Sequence, residues 1–242
     1  MPATFNEFRP SDRAARFLLF LLLLAAAVAL MAAISDLMQV RLLSRVAAGE
    51  SLSQAEADAN DNRQAFLGVL QLLVLLACGI AFLTWFYRSH KNLTALGATG
   101  LKYSPGWAVG GFFVPFLNLV RPLQVMREIW HASVLPSPTE LSSPGIFAQS
   151  ASRETPGKVG WWWGLFLVSS SLGQISFRLS LRPDPSVSLL QTTSWLTFGS
   201  DIIDLAGLLV TVGIVQTVTA GQDERWRRMA APPPPLTVGW SR

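Results

Sequence analysis

Apolar and polar positions come in blocks along this chain rather than alternating. An almost unbroken apolar run, FLLFLLLLAAAVALMAAI from Phe17 to Ile34, gives way to thirty mixed, alanine-rich residues, and a second run follows from about Phe66 to Tyr87. A third begins abruptly at GWWWGLFLV and continues through SSSLGQISFRLS, and a fourth extends from near Trp195 to about Ala220. These runs approach or exceed the roughly 18 apolar residues that mark a membrane-crossing helix. The pattern therefore predicts an all-α membrane protein, a four-span helical bundle with spans at about 14–35, 66–87, 159–180 and 195–220. Residues 35–64 are expected to extend the first helix by a turn or two and then form a solvated loop.

One apolar stretch does not fit a span. SPGWAVGGFFVPFLNLVRP, residues 104–122, carries three prolines, three glycines and an arginine. Pro115 and Pro122 remove amide donors and disfavour helix in the residues before them. After the break, Leu119, Pro122, Leu123, Met126, Ile129 and Trp130 fall on one helical arc, with Arg121, Gln124, Arg127, Glu128 and His131 opposite. The expectation is a broken re-entrant or interfacial segment leading into an amphipathic surface helix over 104–133, between spans two and three. A Pro/Ser-rich linker is expected at 134–158, and a disordered, Pro-rich cytoplasmic tail at 221–242.

Charge sharpens the topology. Half of the 242 residues are hydrophobic and only 14% are charged, against roughly a quarter in a soluble domain. The excess of 19 Lys and Arg over 15 Asp and Glu lies mainly beside apolar runs. Anchoring at an anionic leaflet explains that placement better than nucleic-acid binding, which is not expected. Arg9, Arg13 and Arg16 precede the first span, Arg88, Lys91 and Lys102 follow the second, and Arg225, Arg227 and Arg228 follow the last. Four crossings put all three clusters on the cytoplasmic face, together with both termini, residues 1–13 among them. A fifth crossing through 104–122 would put the tail cluster on the wrong face. The first apolar run is longer than the core of a secretory signal and is read as a retained helix.

The stretch from Trp85 to Ser133 carries a distinctive series: Arg88, Asn92, SPGWAVG from Ser104 to Gly110, FVP from Phe113 to Pro115, Asn118 with Leu119, Pro122, and EIW from Glu128 to Trp130. It resembles a bacterial family of multi-pass membrane proteins marked by a domain of unknown function. The resemblance implies an integral protein of the bacterial cytoplasmic membrane and brings no activity with it.

Candidate chemistry is sparse. Cys78 is the only cysteine and His90 and His131 are the only histidines, so no metal site or cofactor is expected. No nucleophile–base pair stands out, which ranks an intramembrane enzyme last. Arg88, Asn92, Trp107, Asn118, Arg121 and Glu128 are the candidates for holding a lipid headgroup or another anionic ligand, converging under the SPGW turn; a polar network that satisfies the proline-broken backbone is the structural alternative. Asp201 and Asp204, at helical spacing inside the fourth span, are candidates for an ion site or for a structural pair with Arg178. The leading reading is a non-enzymatic module that engages membrane lipids, a protein partner or a second copy of itself through its inner-face helix. The alternative is a small transporter or channel using the intramembrane aspartates.

Overall fold

The computed structural model describes residues 8–134 and 157–230. These are helical throughout, without strands: α1 is Asp12–Ala47, α2 Gln54–Ala95, α3 Pro105–Gly110, α4 Arg121–Ser133, α5 Gly157–Ser180 and α6 Val187–Ala230, with a 3-10 turn at Leu117–Leu119. Three of them, α1, α2 and α6, are long and apolar enough to cross a membrane. The fourth expected span, α5, does not meet that mark, because its tryptophans, serines and Gln174 dilute its apolar run.

Cross-helix contacts set the direction of each long helix. At one end the Phe8 ring stacks on Trp226 with centroids 4.8 Å apart, Asn92 bonds the backbone of Arg9, and Lys158 Nζ reaches Thr217 Oγ1. At the other end Gln39 donates to Ser194, Arg45 clamps Glu56, and Ser176 Oγ donates to the Thr193 carbonyl. Successive long helices thus run antiparallel. One end collects the starts of α1 and α5, the ends of α2 and α6, and all of α3 and α4; we call it the basic end. The other holds the two short turns at 48–53 and 181–186.

Helices α1 and α2 are much longer than their apolar runs. Residues 54–64, expected as loop, are the first turns of α2. Ser53 caps them: its hydroxyl accepts from the Glu56 amide while the Glu56 carboxylate takes the Ser53 amide. Further bonds hold the polar turns of α2 to α1, from Arg63 to Ser35 and from Gln64 to Asp36. Residues 221–230, expected as part of the tail, are the last turns of α6. Gln222 is fully buried, and Glu224 pairs with Arg228 one turn on. The expected linker at 134–158 falls almost entirely outside the described residues, as does the remainder of the tail.

The broken segment acts as a wedge. Helices α2 and α5 touch little directly, and residues 105–119 fill the gap between them on the basic side. Phe112 packs edge-on against Phe82, Phe86 and Trp163 at 5.5–6.2 Å, and the Trp163 indole N–H donates to the Leu119 carbonyl at 2.7 Å. Phe116 takes φ of +63°, a conformation that costs an ordinary side chain energy, and its ring is 85% exposed. With Trp107, Phe113, Leu119 and Val120 it forms an apolar outer face on the wedge.

Candidate functional site

Helix α4 is the lid of the basic end. Val125, Met126 and Ile129 are fully buried and Trp130 nearly so, against α2, α5 and α6. From Pro122 to Trp130 the apolar arc expected to lie on lipid is therefore covered by the protein itself, while Leu119 stays exposed. The helix is attached to the bundle by polar contacts as well. Glu128 Oε2 lies 3.0 Å from His90 Nε2 on α2, and Glu128 Oε1 accepts the Lys102 amide at 2.6 Å. Gln222 on α6 donates to the Ser89 carbonyl at 2.9 Å and to Ser133 Oγ at 3.0 Å, and Asn92 donates to its side-chain oxygen. This one amide ties α2, α4 and α6 together.

Beside this lid lies a cavity of about 380 Å³. Its floor is the loop from Ala98 to Tyr103, which follows α2 through Gly97 and Gly100, both at positive φ (76° and 72°) where a side chain would be strained. Arg127 and Glu128 enter from α4, and Arg225 enters from α6. With Lys102, three cations and one carboxylate line the cavity among the described residues. The Arg225 guanidinium also donates to the Ala132 carbonyl at 2.8 Å, and its partial burial lowers its pKa from the ordinary value while leaving it charged at any physiological pH. Tyr103 donates to Gln124 at 2.8 Å on the rim, and its ring carries the Arg121 guanidinium 4.6 Å from the centroid. Such a set suits a compact anion such as a phosphate group, bound by forked N–H donors.

The six sequence candidates do not converge on one spot. Glu128 lines this cavity, and Arg121 stands at its rim on Tyr103. Asn92 is buried in the structural network with Arg9 and Gln222. Arg88 is on another face, in a shallow groove with Phe8, Asp12 and Asp223. Asn118 sits in the 3-10 turn, and Trp107 is 57% exposed on the wedge. Lys102, Arg127 and Arg225 were absent from the candidate set. Their signal was the charge clusters themselves, but nothing in their spacing told which members face one another.

The second candidate set also separates. Arg178 is exposed and makes no ion pair with Asp201 or Asp204 among the described residues. Asp201 Oδ1 instead accepts from Gln71 Nε2 on α2 at 3.0 Å, and its Oδ2 has no partner. Arg178 therefore does not neutralise the intramembrane carboxylates. No group of three His, Cys, Asp or Glu suited to a metal occurs among the described residues.

No curated protein and no solved structure matches this chain. Residues 48–220, well over half of it, match the family described as Domain of unknown function (DUF4328), and they include the wedge, α4, Asp201, Asp204 and the lining of the basic-end cavity apart from Arg225. The chain belongs to that family.

Proposed function

We propose that this is a non-enzymatic, four-span membrane protein whose basic end is cytoplasmic and binds the phosphate-bearing headgroup of an anionic lipid. The observation that carries the reading is the cavity of about 380 Å³ lined, among the described residues, by Lys102, Arg127 and Arg225 with Glu128. Lys102 and Arg127 are exposed there, so their N–H donors are open to a phosphate group. Beside it the exposed apolar wedge, with Phe113, Phe116 and Leu119, supplies a surface for acyl chains, so headgroup and tail have adjacent seats.

Topology supports the same orientation. Twelve of the described Lys and Arg residues belong to the basic end and five to the opposite half, the asymmetry expected when the basic end faces the cytoplasm. For α5 the support is its partner: it lies alongside α6 from Lys158–Thr217 to Ser176–Thr193, so a membrane crossed by α6 would enclose both. The segment 104–122 is read as shallowly re-entrant. Phe112 packs at the level of Phe82 and Phe86, from about half a turn to under two turns deeper than Arg88.

The test is lipid retention by the purified protein, measured by native mass spectrometry after exchange into phosphatidylglycerol–phosphatidylcholine nanodiscs. The wild type should retain phosphatidylglycerol selectively, and Lys102→Ala with Arg127→Ala should reduce that retention about tenfold. Equal retention of both lipids by the wild type, or an unchanged preference in the double variant, would overturn the reading.

A further inference from the structure

A second cavity lies on the far side of the wedge, within the apolar half of the bundle. It has a volume of about 640 Å³, inside the range of roughly 300–1,000 Å³ typical of small-molecule sites. It exists because α2 and α5 are held apart by the wedge, leaving an open cleft between them toward the surrounding lipid. Trp162 and Phe166 close its basic side, and α6 forms its back wall with Asp201 and Asp204 one turn apart.

The charge balance of this cleft is one-sided. Among the described residues that line it there are two carboxylates and no Lys, Arg or His. Asp201 is only 6% exposed, and one of its oxygens is taken by Gln71 while the other has no partner. A buried carboxylate oxygen without a donor is an exception that calls for a bound group.

We infer that the cleft between α2 and α5 is a binding site for an amphiphilic organic cation that enters from the bilayer. The cationic centre is held by Asp201 and Asp204, and its apolar groups lie against Trp162, Phe166 and the aliphatic wall of α2. A bare metal ion fits poorly: the space is many times too large, and the walls offer few oxygens beyond the two carboxylates and some hydroxyls. A neutral acyl chain would leave the unpartnered oxygen of Asp201 without a matching group. An aromatic floor beside carboxylates suits a diffuse cation, which gains from both.

The site is distinct from the anion site at the basic end, and the two can fail separately. The test is equilibrium binding of tritiated tetraphenylphosphonium to the full chain in phosphatidylcholine nanodiscs. Saturable binding is expected, with Kd raised at least tenfold in Asp201→Asn and in Asp204→Asn, and unchanged in Arg127→Ala. Ser170→Trp, which fills the cleft without removing a carboxylate, should abolish binding while the protein still elutes and melts as a folded species. Triphenylphosphine oxide, which has the aryl groups without the charge, should compete at least tenfold more weakly than the unlabelled cation. The inference falls if the wild type shows no saturable binding, if both aspartate variants bind as the wild type does, if folded Ser170→Trp still binds, or if the neutral compound competes equally.

Discussion

At the scale of single residues, the basic end depends on contacts too close to tolerate added atoms. Gly221 on α6 lies directly beneath the last turn of α4, where a Cβ would fall onto the Ser133 carbonyl oxygen. Its neighbour Gln222 bonds both Ser133 and Ser89, so an approach that brings the backbones together is also what makes the network possible. Gly199 on the same helix has open space around it. The two glycines therefore respond in opposite directions to the same change. Gly221→Ala should push α4 outward, strain the Gln222 bonds and destabilise the protein by about 1–3 kcal/mol. Gly199→Ala should be neutral or should stabilise by up to about 1 kcal/mol through helix propensity. Thermal unfolding of both variants in one detergent makes the comparison, and a Gly221→Ala melting curve overlaying the wild type would show that α4 does not seat on this turn.

At the scale of elements, helix ends are where pattern and structure diverge. The apolar cores of the long helices were legible from sequence, because the hydrophobic run that crosses a bilayer has few alternatives. Their ends were not, because polar helix and polar loop look alike in hydropathy. The capping signal Ser53-Gln54-Ala55-Glu56 was present, yet only the Arg45 clamp on Glu50 and Glu56 shows that the chain turns there in six residues. The site was partly legible in the same way. The proline breaks marked the wedge and the charge pattern marked α4, but the facing of Arg127 with Lys102 and Arg225 depends on three elements meeting. The α1–α2 turn yields a pH prediction. Bonds from Arg45 and Ser53 hold the Glu56 carboxyl far below its ordinary 4.5, at about 2. A lowered folded pKa means that its stabilising contribution is complete above about pH 4.5 and is lost as the pH falls through about 2. In Arg45→Ala the Glu56 midpoint should rise toward its ordinary value. Carboxyl carbon shifts followed through an acid titration would register it, and the stability difference between the two proteins should shrink below pH 4.5.

At the scale of the whole molecule, the number of crossings follows from which ends share a side. If α1, α2, α5 and α6 all cross, Thr99 after α2 and Ala230 at the end of α6 lie on one side, with Asp184 in the α5–α6 turn on the other. If α5 stays on one side of the membrane, Thr99 and Asp184 share a side and Ala230 lies opposite. If residues 104–122 cross as a fifth span, Thr99 and Asp184 also share a side while Ala230 again lies opposite; α5 then begins outside. A single odd crossing therefore moves Asp184 relative to Thr99, whichever segment is responsible. Single cysteines at Thr99, Asp184 and Ala230 in a Cys78→Ser background resolve this with a membrane-impermeant maleimide on intact cells. The charge asymmetry predicts labelling of Asp184→Cys alone, with Thr99→Cys and Ala230→Cys reacting only after permeabilisation. Labelling of Ala230→Cys but not Thr99→Cys from outside would put an odd number of crossings in the chain. It would also detach Arg225 from a cytoplasmic leaflet, removing the anionic surface on which the proposed headgroup site depends.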